Sequence, residues 1–162
     1  MFSPSPRQPA EHLARTVGTK TDATTITRET SGTAFFVDDS GHMLTADHAA
    51  ADCTRLIVAK EGHVVAARVV AISSQFDLAL IQVARTLGLS AVFPRSTKAT
   101  ANDMTFAAAY DTLPGMTARG GTLANATVSS SGTDAGYLPI DSNVSFGASG
   151  APVLDGSGWC RE

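Results

Sequence analysis

Short apolar runs, each cut off within about ten residues by a turn signal, dominate this 162-residue chain. No long stretch repeats its apolar residues at the helical period of 3.6. Together these features point to an all-β barrel or sandwich. Ala23–Thr27 is rich in Thr and Ile, a strand composition. Gly32–Val37 is apolar and stops at Asp38-Asp-Ser-Gly41, a hairpin turn signal, with His42–Thr45 as the return strand. Arg55–Lys60 and His63–Ser73 read as strands around Glu61-Gly62, and Leu78–Val83 as another. Asp47–Asp52 is Ala-rich and reads as a single helical turn.

Arg85–Ala101 has weak patterning and reads as a connection. Strand signals resume at Met104–Tyr110, Gly121–Ser129, Gly136–Ile140 and Ala151–Leu154. The expected organisation is a mobile arm over residues 1–20, with a helical turn near Glu11–Arg15, then two β-rich units at 21–90 and 91–162.

Composition narrows the function. With 43% hydrophobic and 17% charged residues, the chain has material for a buried core. A net charge of −3 lacks the basic footprint of a nucleic-acid binder. No apolar run reaches the roughly 20 residues of a membrane-spanning helix. The N-terminus lacks the apolar stretch of a secretory signal. Cys53 and Cys160 either pair or stay free, which leaves the redox compartment open.

Three segments carry chemistry. In Phe146-Gly147-Ala-Ser149-Gly150-Ala-Pro152, small residues can expose a hydroxyl on a tight turn and let backbone N–H groups converge on an oxyanion. In Leu44-Thr-Ala-Asp-His48, a histidine follows an apolar strand, where a general base is rigidly held. In Phe76-Asp77-Leu-Ala-Leu, a carboxylate heads an apolar run, which implies partial burial and hence a partner. Each has a plain explanation by itself: a Gly/Ser turn, a surface histidine, a strand-end cap. His12, His42 and His63 lack comparable settings and read as surface residues.

The combination says more. A serine hydroxyl becomes a good nucleophile when a histidine takes its proton and a carboxylate orients the imidazole. The order His48, Asp77, Ser149 excludes the α/β-hydrolase order of Ser, Asp/Glu, His. No histidine follows His63, so Ser149 has no downstream base. A metal site of His42, His48, His63 and Asp77 is disfavoured, because no zinc-ligand spacing is present.

With these motifs in view, the chain resembles the trypsin/chymotrypsin-like serine proteases, and most of all the bacterial HtrA-like and related minimal branches. Ser31-Gly-Thr-Ala-Phe-Phe-Val and Gly41-His-Met-Leu-Thr-Ala-Asp-His48 resemble the first barrel of that family. Phe76-Asp77-Leu-Ala-Leu resembles its aspartate motif. Ile140-Asp141 and Gly147-Ala-Ser149-Gly-Ala-Pro resemble its nucleophile loop. The intervals of 29 residues from His48 to Asp77 and 72 from Asp77 to Ser149 suit the family.

The resemblance implies a double six-stranded β-barrel with the triad His48, Asp77 and Ser149 in the cleft between barrels. It implies an oxyanion hole from the N–H groups of Gly147 and Ser149, and a specificity pocket lined by Asn143 and Val144. The expected substrate is a polypeptide, and no metal or cofactor is required. Relatives of this kind are commonly exported. The pattern departs at Asp47, where a small or amide residue is usual and whose carboxylate is expected to face solvent, and at Ala151, where a second glycine is usual. Only 13 residues follow Ser149, where the family continues for about two strands. The second barrel is therefore expected to be incomplete at the C-terminus. A protease-fold module that binds peptides without cleaving them is the alternative expectation.

Overall fold

Neighbouring side chains on a strand point to opposite faces, and Phe35 and Phe36 use this to fill two separate cores. Phe36 is fully buried with Ala34, Met43, Val58, Ala79 and Ile81. Phe35 is buried with Ala91, Ala108 and Leu154. The computed structural model describes residues 13–21, 27–93, 104–109, 122–128, 140–142 and 147–155.

The first core fills a closed barrel. Its strands are β1 (Leu13–Thr21), β2 (Thr27–Phe36), β3 (His42–Ala46), β4 (Cys53–Lys60), β5 (His63–Ser73) and β6 (Leu78–Val83), in spatial order β1-β2-β3-β6-β5-β4. Every pairing is antiparallel, and β1 closes the barrel by pairing with both β2 and β4. A second sheet holds β7 (Met104–Ala109), β8 (Thr122–Val128), β9 (Ile140–Ser142) and β10 (Val153–Asp155), in order β10-β7-β8-β9. It does not close into a barrel among the described residues. The all-β expectation therefore holds, as one complete barrel and one incomplete one.

Turn chemistry sets the registers. Glu61 and Gly62 both have positive φ, 50° and 82°, and join β4 to β5 with Lys60 opposite His63. Two positive φ angles give the twist that antiparallel strands need across a two-residue loop. In the β2–β3 turn, Asp38 Oδ1 accepts the backbone N–H of Ser40 at 2.9 Å and of His42 at 3.0 Å. His42 is not the open surface histidine expected: it is half-buried, with Nδ1 2.6 Å from Asp38 Oδ2. His63 is exposed, and His12 lies outside the described residues.

β5 shifts register against β6 between Val69 and Ala71. Val64, Val69, Val70, Ile72, Phe76 and Leu78 are all exposed around this stretch.

The main correction concerns β1. Residues 13–20 are not a mobile arm, and Leu13–Arg15 open a strand rather than a helical turn. Its inward positions are Ala14, Thr16 and Gly18, all buried. Small and hydroxylated side chains fill the barrel there, so the strand carries no hydrophobic alternation to read. Of the expected Ala23–Thr27 strand, only Thr27 is described, as the first residue of β2. Nearly all of the Gly136–Ile140 run also lies outside the described residues.

Candidate active site

Strand pairing brings the first two chemical residues together. β3 pairs with β6 so that Ala46 lies opposite Leu78. The chain leaving β3 forms α1 (Asp47–Ala50), a single turn that carries His48. The chain entering β6 comes from a 3-10 turn, Ser74–Phe76, capped by Asp77. Asp77 has left-handed torsions, φ 49° and ψ 45°. For a residue other than glycine this costs about 1–3 kcal/mol and persists only where the surroundings hold it. Two backbone donors enforce it here: Asp47 N–H bonds the Asp77 carbonyl at 3.0 Å, and His48 N–H bonds Asp77 Oδ1 at 2.9 Å.

The carboxylate then meets the imidazole, with Asp77 Oδ2 2.6 Å from His48 Nδ1. On the far side of the ring, Nε2 lies 2.9 Å from Ser149 Oγ. These contacts fix the tautomer. An ionised carboxylate only accepts, so Nδ1 carries the proton and Nε2 keeps a bare lone pair facing the hydroxyl. Asp77 stays ionised because partial desolvation, which raises its pKa, is outweighed by the His48 backbone N–H, the imidazole hydrogen bond and the imidazole charge; its pKa is lowered on balance.

Ser149 rides on a loop pinned to the barrel. Gly147 and Gly150 have φ of 93° and 83°, values that favour glycine. Thr33, buried on β2, donates its backbone N–H to the Ser149 carbonyl at 2.8 Å and its hydroxyl to the Gly147 carbonyl at 2.7 Å. Thr45 donates its hydroxyl to the Thr33 carbonyl at 2.7 Å. A side chain at Gly150 would run into the Thr33 carbonyl, the Thr45 hydroxyl and the Ala46 amide. Beyond the loop, Ala108 N–H bonds the Pro152 carbonyl at 3.0 Å and ties the segment to β7.

His48, Asp77, Ser149 and Gly147 thus lie in one place, whereas Asn143 and Val144 lie outside the described residues. One expectation is corrected, and it concerns Asp47. The Asp77 side chain is partly buried, 51% exposed, and that of His48 is 59% exposed. The first residue of β6 is itself exposed, so the apolar run offers Asp77 no cover from its own side. Asp47 does not face solvent: Oδ2 accepts the Ser74 hydroxyl at 3.0 Å, and Oδ1 is buried. Sequence reasoning missed Thr33, Thr45 and Ser74, whose contacts at the site join residues far apart in the chain. Cys53 is a half-buried free thiol near the Ala49 carbonyl, and Cys160 is outside the described residues. Among the described residues no group of three or more His, Cys, Asp or Glu is arranged to hold a metal ion.

The arrangement can move a proton from Ser149 Oγ to His48 Nε2, and the Asp77 carboxylate can stabilise the imidazolium that forms. Comparison with known proteins bears on the fold and the family. The uncharacterized protein y4bJ of Sinorhizobium fredii (strain NBRC 101917 / NGR234) is 32% identical over 132 residues, 79% of this chain and 20% of that protein. The crystal structure of the serine endoprotease from Yersinia pestis has the same fold, with a TM-score of 0.75 at 20% identity, over 99% of this chain and 57% of that one. The chain therefore spans about a fifth of the first relative and little more than half of the second. The profile of the trypsin-like peptidase domain matches residues 32–160, from the middle of β2 past the Ser149 loop, and by that match the chain belongs to the trypsin-like peptidase family.

Proposed function

We propose that this chain is a serine endopeptidase, with Ser149 as nucleophile, His48 as general base and acid, and Asp77 as the group that orients His48. The observation that carries this reading is the continuous contact from Asp77 Oδ2 through His48 to Ser149 Oγ, at 2.6 and 2.9 Å. Ser149 Oγ would attack the scissile carbonyl as its proton passes to Nε2. The backbone N–H groups of Gly147 and Ser149 would receive the oxyanion. Collapse of the intermediate would break the C–N bond, with the Nε2 proton leaving on the amine. Water would then cleave the acyl-enzyme by the same steps in reverse. Asn143 and Val144 would line the pocket for the substrate side chain next to the scissile bond.

A fluorophosphonate probe tests the reading, since it reacts with an activated serine. Wild-type protein should label and Ser149→Ala should not; equal labelling of both, or of neither, refutes it. The exposure of His48 and Asp77 favours one other reading, a module that binds peptides without cleaving them, because water at an ion pair weakens its electrostatics. Cleaved peptide products that depend on Ser149 would eliminate that alternative.

A further inference from the structure

Asp47 and Ser74 take no part in the proton transfer, yet their side chains meet beside it. Asp77 ends a 3-10 turn whose own internal bond, Asp77 N–H to the Ser74 carbonyl, is long at 3.4 Å. Neither that turn nor α1 has a side-chain cap of its own. Asp47 ties the two together instead. Its backbone N–H holds the Asp77 carbonyl at 3.0 Å, and its Oδ2 holds the Ser74 hydroxyl at 3.0 Å. One residue therefore grips the 3-10 turn at both ends. The next residue, His48, receives the carboxylate that this grip aims.

We propose that the Asp47–Ser74 hydrogen bond is a latch that positions Asp77 against His48. Asp47 and Ser74 are positioning residues, acting through Asp77. The latch acts on turnover only through the peptidase reading, on which that part of the inference rests. Its effect on geometry does not depend on turnover.

Two measurements separate the cases. In the first, the rate of Ser149-dependent fluorophosphonate labelling is compared among wild type, Ser74→Ala, Asp47→Ala, the double variant and Asp47→Asn. The latch predicts that each alanine variant slows labelling about five- to tenfold, the scale of one ordinary hydrogen bond lost. The double variant should be no slower than either single one, because both remove the same contact. Asp47→Asn keeps an acceptor for Ser74 and should restore most of the rate. Alanine variants that label at the wild-type rate overturn the latch, as do additive losses.

In the second, amide hydrogen exchange is followed in the full chain. The backbone N–H groups of Asp47 and His48 both donate to Asp77. They should exchange about five- to tenfold faster in Ser74→Ala, while amides bonded between β3 and β6 keep their protection. Unchanged exchange at both amides, or loss of protection across the barrel, overturns the latch. If wild-type protein fails to label but these two amides respond as expected, the latch stands and the peptidase reading falls.

Discussion

Thr33 holds Gly147 across 114 residues of chain, its hydroxyl donating to the Gly147 carbonyl at 2.7 Å. The same residue holds the Ser149 carbonyl through its backbone N–H. Thr33→Val keeps the shape and the backbone bond but leaves the Gly147 carbonyl without its hydroxyl donor. The expected cost is about 1–2 kcal/mol of stability, read as a lower urea midpoint at unchanged slope. Probe labelling of Ser149 should slow as well, since the loop that carries it loses a tie to β2.

Gly150→Ala should be more damaging. The position combines a φ of 83° with backbone and hydroxyl groups on the space a Cβ would need. Neither relaxes without moving β2 or β3. A loss of about 2–4 kcal/mol is expected, visible as a lower thermal midpoint. A variant as stable as wild type would mean that the loop has room the geometry denies it.

Asp77→Asn tests the tautomer. If its amide nitrogen faced the ring, it would donate to Nδ1, drive the imidazole proton to Nε2 and remove the lone pair that faces Ser149 Oγ. Turnover is expected to fall by about 10⁴ with little change in substrate affinity. Steady-state kinetics on a peptide substrate check this.

Core substitution separates fold from site. Phe36 is fully buried inside the barrel, so Phe36→Ala should cost about 3–5 kcal/mol. Calorimetry is the check. A small effect would contradict the packing described for β2.

Acid should weaken the protein in a direction that the carboxylates set. Asp77 and Asp38 both have lowered pKa values. At Asp38, as at Asp77, desolvation raises the value but is outweighed, here by the His42 side chain and the backbone N–H groups of His42 and Ser40. A folded pKa below the unfolded one means that the unfolded chain binds more protons between the two values. The stabilisation is complete above about pH 4, the ordinary range for aspartate, and is lost as pH falls through the folded values. Thermal midpoints measured on acidification should fall in that window, and less steeply in an Asp38→Asn, Asp77→Asn double variant.

Much of this was legible because the signals are local. The strands from Gly32 to Val83 announce themselves through turn residues and apolar runs, and the three chemical segments are each only a few residues long. β1 was not legible, because its inward side chains are Ala, Thr and Gly rather than large apolar groups. The Thr33 contacts were hidden for another reason: nothing near residue 33 in sequence says that residues 147 and 149 will be its partners. Asp47 was misread because an aspartate beside an exposed turn usually faces water; a serine 27 positions later supplies the partner that turns it.

The pairing of β1 with both β2 and β4 has a practical bearing on where the protein can be cut. The family profile begins at residue 32, inside β2, so a polypeptide started there loses β1 and half of its neighbour. Two ladders would then be left with open rows of amide and carbonyl groups beside the exposed valines of β5, a surface prone to recruiting other unfolded chains. Soluble material is expected only from polypeptides that start upstream of Leu13.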